Sequence, residues 1–121
     1  MLDELKSRII AFLSQNQVCV ITTSGSLGAW AVSAQYDNSG LELNCRLPRW
    51  SDVLFHIEQE PKVMAIIQDT QVTFLRWLQV RGVAHLAKAI DDRYVSVHIT
   101  PEHIDLVDEN LGWGVCETLD L

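Results

Sequence analysis

From Val18 onward, Gly, Pro, Asn and Asp interrupt the chain so often that no unbroken apolar run exceeds five residues. A membrane helix needs roughly 20 apolar residues in a row, so none is encoded. What the short runs suit is strands, since these are typically about five or six residues long and are bounded by turn formers. Many short strands in one small chain favour a β-barrel whose openings are covered by helices.

The first segment is the exception. Leu2, Leu5, Ile9, Ile10 and Leu13 recur with the spacing of one helical face, and polar residues lie between them, which predicts a helix over about 2–15. Val18 to Thr23 is β-branched and is followed by the flexible run Ser24-Gly25-Ser26-Leu27-Gly28. Ala29 to Tyr36 alternates large and small side chains, Asp37-Asn38-Ser39-Gly40 is a turn signal, and Leu41 to Arg46 is the returning strand. Leu47-Pro48-Arg49 breaks that strand before a short helix over about 51–59, capped by Ser51 and ended by Pro61. Lys62 to Gln68 and Thr73 to Ala87 read as strands, with Gly82 at a bulge or a close backbone approach. Tyr94 to Ile99, His103 to Val107 and Trp113 to Leu119 complete an antiparallel meander. The expectation is one domain over residues 1–121, mainly β, with about eight antiparallel strands and two helices.

Charge narrows the partners. The net charge is -7, and residues 101–121 hold six acidic side chains and no Lys or Arg, leaving the first hundred at 9 basic to 10 acidic. An acidic surface repels phosphate backbones, so nucleic acid is not an expected partner. Asp3 and Glu4 precede Lys6 in a helix of mixed charge, unlike the basic start and apolar run of a signal peptide. A cytoplasmic protein without a membrane partner is expected. Cys19, Cys45 and Cys116 are odd in number and widely spaced, which suits reduced thiols better than a disulfide framework.

The order of elements resembles the pyridoxamine 5'-phosphate oxidase-like FMN-binding split barrels. The resemblance spans nearly the whole chain: the first helix, Val20-Ile21-Thr22-Thr23 before a Gly-rich turn, the Tyr36-to-Gly40 hairpin, and Ile57-Glu58-Gln59-Glu60-Pro61-Lys62-Val63. Its most specific stretch is Arg76-Trp77-Leu78-Gln79-Val80-Arg81-Gly82-Val83-Ala84, and Ile99 to Ile104 resembles the return into the last strands.

That resemblance implies a homodimer with FMN in a groove between the chains. In the family the phosphate is held by basic and hydroxyl side chains of the second and third strands and the inserted helix. Carried onto this sequence, the phosphate end meets Asn44 and Cys45, then Ser51, Asp52 and Val53. Asp52 and Val53 stand where the family has a basic pair, and Ala34 stands where it often has a basic residue. The connection Arg46-Leu47-Pro48-Arg49-Trp50 is longer than the family's, which makes Arg46 and Arg49 the expected phosphate ligands. The Ser51 hydroxyl and the amides at the helix start would complete that site.

Trp30 and Trp77 are the expected aromatic walls for the flavin, with Trp50 beside them and Trp113 in core or interface. His56, His85, His98 and His103 lack metal spacing, so no metal site is expected. No Ser/His/Asp triad, carboxylate pair or phosphate-binding glycine motif is readable, and no catalytic residue is assigned. The implied activity is that of an FMN-dependent oxidoreductase acting on an unidentified small molecule. The alternatives are a cofactor-poor dimer serving as a binding module, or the same groove holding another flat ligand such as haem or a deazaflavin.

Overall fold

The computed structural model describes residues 2–26, 28–89 and 91–121. Leu27, in the first expected turn, lies outside the described residues. The elements are α1 (Leu2–Gln15), β1 (Val18–Gly25), β2 (Gly28–Ser39), β3 (Glu42–Pro48), α2 (Asp52–Gln59), β4 (Lys62–Gln68), β5 (Arg76–Ala89), β6 (Tyr94–Asp108) and β7 (Cys116–Asp120). A single 3₁₀ turn, Glu109–Leu111, precedes β7.

All ladders are antiparallel, in the order β3-β2-β1-β4-β5-β6-β7, and an added β3–β6 pairing closes six strands into a barrel. Alternation decides what fills it: Cys19 and Ile21, Ala34 and Tyr36, Leu43, Cys45 and Leu47, and Leu78 and Val80 point inward and are buried. From α1, Leu5, Ile9, Phe12 and Leu13 join this core, while Leu2 of the expected face is exposed. The second helix places Val53, Leu54 and Ile57 against the barrel, with Ser51 accepting a cap bond from the Val53 amide at 3.2 Å.

Besides strand starts that move by three residues, from Thr73 to Arg76 and from Trp113 to Cys116, sequence and structure differ in the second hairpin turn and in the number of strands. The β2–β3 turn is only Gly40-Leu41, because Asp37, Asn38 and Ser39 pair with Asn44, Leu43 and Glu42. Among the described residues there are seven strands rather than about eight, since Tyr94–Ile99 and His103–Val107 are one strand, β6. Pairing with β5 runs along β6, while its other edge changes partner from β3 (up to Ile99) to β7 (from His103). Pro101, with no N–H to give, sits where the partner changes.

The ladder shifts register at Arg81/Gly82, so Glu102 is an extra residue in β6 and the inward-facing set changes from Val97 and Ile99 to Ile104 and Leu106. At Gly82 the strands come so near that a Cβ would lie 2.3 Å from the Thr100 carbonyl oxygen. Both the bulge and the close approach expected at Gly82 are present.

Below the barrel, the β4–β5 connection is held by a buried clasp. The Asp69 carboxylate accepts from Arg76 at 2.8 Å and from the Gln71 amide at 3.0 Å. Arg76 also reaches Asp108 at 3.3 Å and lies over the Phe12 ring. Burial alone would raise the Asp69 pKa, but the Gln71 amide, Arg76 and Asn16 outweigh it and hold the group below the usual carboxylate range.

Candidate functional site

The outer wall formed by β2, β3 and the start of β6 carries three of the seven expected cofactor residues, Asn44, Arg46 and Arg49. Because β3 alternates, Asn44 and Arg46 face outward while Leu43, Cys45 and Leu47 face the core. The Asn44 amide donates to Asp37 at 3.3 Å and its oxygen meets the His98 Nδ1 at 2.8 Å. Arg46 donates from Nη2 to the Gln35 side-chain oxygen at 2.9 Å.

Beside Arg46 is a hollow of about 250 Å³ lined by Ser33, Ala34, Gln35, Pro48 and Tyr94. A second hollow of about 420 Å³ shares Pro48 and Tyr94 and adds Arg49, Trp50, Asp92 and Arg93. Arg49 is fixed there by two bonds, its amide to the Arg93 carbonyl at 2.8 Å and its Nε to the Asp91 carbonyl at 2.9 Å. The Asp91 carboxylate caps the turn by accepting from the Arg93 and Tyr94 amides, which hold its pKa below the usual value. Three arginines, Arg46, Arg49 and Arg93, thus border two adjoining hollows around one half-exposed tyrosine.

Not every expected residue joins them. Cys45 is fully buried, 4.0 Å sulfur to sulfur from Cys19, so its side chain does not reach the outer wall. A hydrogen bond to Cys19 and burial push its thiol pKa far up, so it offers no thiolate to a ligand on that wall. Ser51 is buried with its hydroxyl used as the helix cap. Trp30 lies on the inward face of β2 and stacks on His56, with ring centroids 3.7 Å apart, so one face of the indole is already covered.

Trp77 is on the outer face of β5 opposite Val107, whereas Asn44 is opposite His98. Nine residues of β6 separate those partners, roughly 30 Å of extended strand, so Trp77 does not share a single-chain pocket with Arg46. Trp113, expected in core or interface, is 95% exposed within the chain.

Arg93 and Tyr94 have no site role in the sequence reading, where Tyr94 only opens a strand after Asp91-Asp92. Only the long-range pairing of Pro48 with Tyr94 brings them to the site. Among the described residues, no group of three or more His, Cys, Asp or Glu side chains is arranged to hold a metal ion. Among the described residues, no helix is long and apolar enough to cross a membrane.

No protein-family model and no curated protein sequence matches the chain. Solved structures do. A Clostridium acetobutylicum protein related to general stress protein 26, of the pyridoxinephosphate oxidase family, superposes with a TM-score of 0.82 at 10% identity, covering 100% of this chain and 97% of its own. The fold is that of the pyridoxamine 5'-phosphate oxidase-like split barrels. An FAD-binding protein from Mesorhizobium loti matches this split barrel with a TM-score of 0.68 at 14% identity, over 81% of this chain and 88% of that one. A haem-binding protein from Mycobacterium smegmatis matches with a TM-score of 0.76 at 13% identity, over 95% of this chain and 56% of that one. Split barrels of this shape therefore include flavin and haem binders.

Proposed function

We propose that this split barrel binds FMN on the β2–β3 wall and works as a flavin-dependent oxidoreductase on a small molecule. The observation that carries the reading is the convergence of Arg46, Arg49 and Arg93 on two adjoining hollows around Pro48 and Tyr94. Arginine presents a planar fork of donors suited to a phosphate. Arg46 donates one nitrogen to protein, and Arg49 has its Nε engaged, so each keeps further donors for a ligand. The Tyr94 ring and the exposed Trp50 offer flat apolar surface to an isoalloxazine.

Bound FMN would supply the electron-accepting chemistry, which is why no protein acid, base or nucleophile is required. The chain's own task is to bind the phosphate, orient the ring and exclude water from one face. The hollows are shallow on one chain, so the reading includes a homodimer whose second copy closes the groove. Trp77, far from Arg46 within a chain, is then the aromatic wall contributed by the partner.

A cofactor-poor dimer is the second reading. It is favoured by the burial of Cys45 and Ser51 and by Asp52 at the helix start, which together leave the phosphate to arginines alone. The visible spectrum with an FMN titration separates the two. A yellow preparation, or saturable quenching of flavin fluorescence at one FMN per chain, supports the flavoprotein. A colourless protein that leaves FMN bright supports the second reading, and a Soret band would replace flavin by haem.

A further inference from the structure

A larger groove lies farther round the barrel, where β1 parts from β4. The β1–β4 ladder has only three pairs and stops at Thr22 with Met64, while β1 continues beside β2 to Gly25. The divergence opens about 610 Å³, within the range of small-molecule sites. Val63, Met64 and Ala29 give it an apolar floor and side, and Lys62 and Arg81 border it.

The two cations are placed by register. Met64 pairs with Arg81 and Lys62 with Val83, so Lys62 and Arg81 are diagonal neighbours on the outer face, with Cβ atoms about 7–8 Å apart. Like charges so close repel, yet among the described residues no ion pair engages either one. In a chain with 16 acidic residues this is an unusual pair to leave free. His103, also at the groove, is already held by Asp105 and Asp120, and Glu102 stands exposed at the rim.

Thr23 adds an independent sign. It lines the groove at 4% exposure, and its hydroxyl has no hydrogen-bond partner among the described residues. A buried hydroxyl left unpaired is costly, and a polar atom or bridging water brought in with a ligand removes that cost.

We propose that this groove is a ligand site, separate from the flavin wall, for small amphiphilic anions. An anionic head group rests on Lys62 and Arg81, and an aromatic or aliphatic body covers Met64, Val63 and Ala29. The inference does not depend on FMN binding.

Anilinonaphthalene sulfonate is a suitable probe because it combines a flat apolar body with one anionic group, and phenylnaphthylamine is its neutral counterpart. Titrating both into the full chain, with and without saturating FMN, tests the site. The expected result is saturable sulfonate binding at one probe per chain. Lys62→Gln and Arg81→Gln should each weaken it about tenfold or more, Arg81→Lys should restore most of the affinity, and Arg46→Gln should change nothing. Phenylnaphthylamine should bind more weakly than the sulfonate and be insensitive to both charge variants. Lys62 and Arg81 are exposed, so thermal melts of the variants should overlay the parent and exclude misfolding. Sulfonate binding that ignores both charge variants, equal affinity for the neutral probe, or displacement by FMN would overturn the proposal.

Discussion

Replacing Gly82 by alanine is a sharp test of how the barrel is held together. The added Cβ would sit 2.3 Å from the Thr100 carbonyl oxygen and 3.0 Å from the Pro101 Cα. An ordinary C···O contact is about 3.3 Å or more, so β5 and β6 must separate locally by about 1 Å. Both obstacles are backbone, so no side-chain rotation relieves them. Overpacking costs about 1–3 kcal/mol, and weakening one or two ladder bonds adds about 1 kcal/mol each, for a total of about 2–5 kcal/mol. For a domain of this size that lowers Tm by about 8–20 °C. Gly25→Ala is the control: nothing lies within 4 Å of its Cβ position and its φ is not positive, so it should leave Tm within about 2 °C of the parent. Calorimetry or circular dichroism melts of both variants decide the matter. If Gly82→Ala melts with the parent, or Gly25→Ala loses as much, the close-approach argument fails.

Other outcomes follow from the same structure. Arg76→Ala leaves the buried Asp69 carboxylate without its guanidinium and should cost about 3–5 kcal/mol by urea unfolding. Because the Asp69 pKa is lowered on folding, its contribution is present above the ordinary carboxylate value near 4 and disappears as pH falls through the folded value; unfolding titrations at pH 7 and pH 3 should show the loss, and it should be smaller in Arg76→Ala, where the Gln71 amide and Asn16 alone hold the carboxylate. His103 behaves oppositely. Its hydrogen bond to Asp120 raises its pKa, so its hold on β7 is complete below about pH 6 and weakens as pH rises through the folded value, and amide exchange in Cys116–Asp120 should speed up between pH 6 and pH 9 after correction for intrinsic rates. Finally, an aromatic disulfide reagent should modify Cys116 in the native protein, more slowly than a free thiol because burial and Asp105 raise its pKa, with Cys19 and Cys45 reacting only on unfolding; modification of all three in the native protein would contradict the burial assigned to the pair.

How far the sequence could be read depended on the range of the interaction. Local signals were sufficient for α1, for the Ser51 cap and Pro61 stop of α2, and for Gly82, because each acts within a few residues or through backbone sterics. The number of strands was not legible, since Pro101 resembles a break until β6 is seen to exchange β3 for β7 along one edge. Cys45 illustrates a different limit. A residue carried over by position keeps its place on a strand but not its direction, and alternation turns Cys45 inward while Asn44 and Arg46 face out. Arg93 and Tyr94 join the candidate site only through the β3–β6 closure, a pairing across more than forty residues with no short-range trace. The groove at Lys62 and Arg81 arises from an early end to the β1–β4 ladder, which neither strand's own sequence announces.

The central claim, that arginines on the β2–β3 wall hold the phosphate of FMN, is tested most directly by FMN affinity in Arg46→Gln and Arg49→Gln. A charge-assisted phosphate contact is worth about 1.5–3 kcal/mol, so each variant should raise the dissociation constant by about tenfold or more while leaving the thermal melt unchanged. Riboflavin, which lacks the phosphate, should bind parent and variants alike. Equal FMN affinity in the parent and both variants, or no FMN binding by the parent at all, would contradict the account.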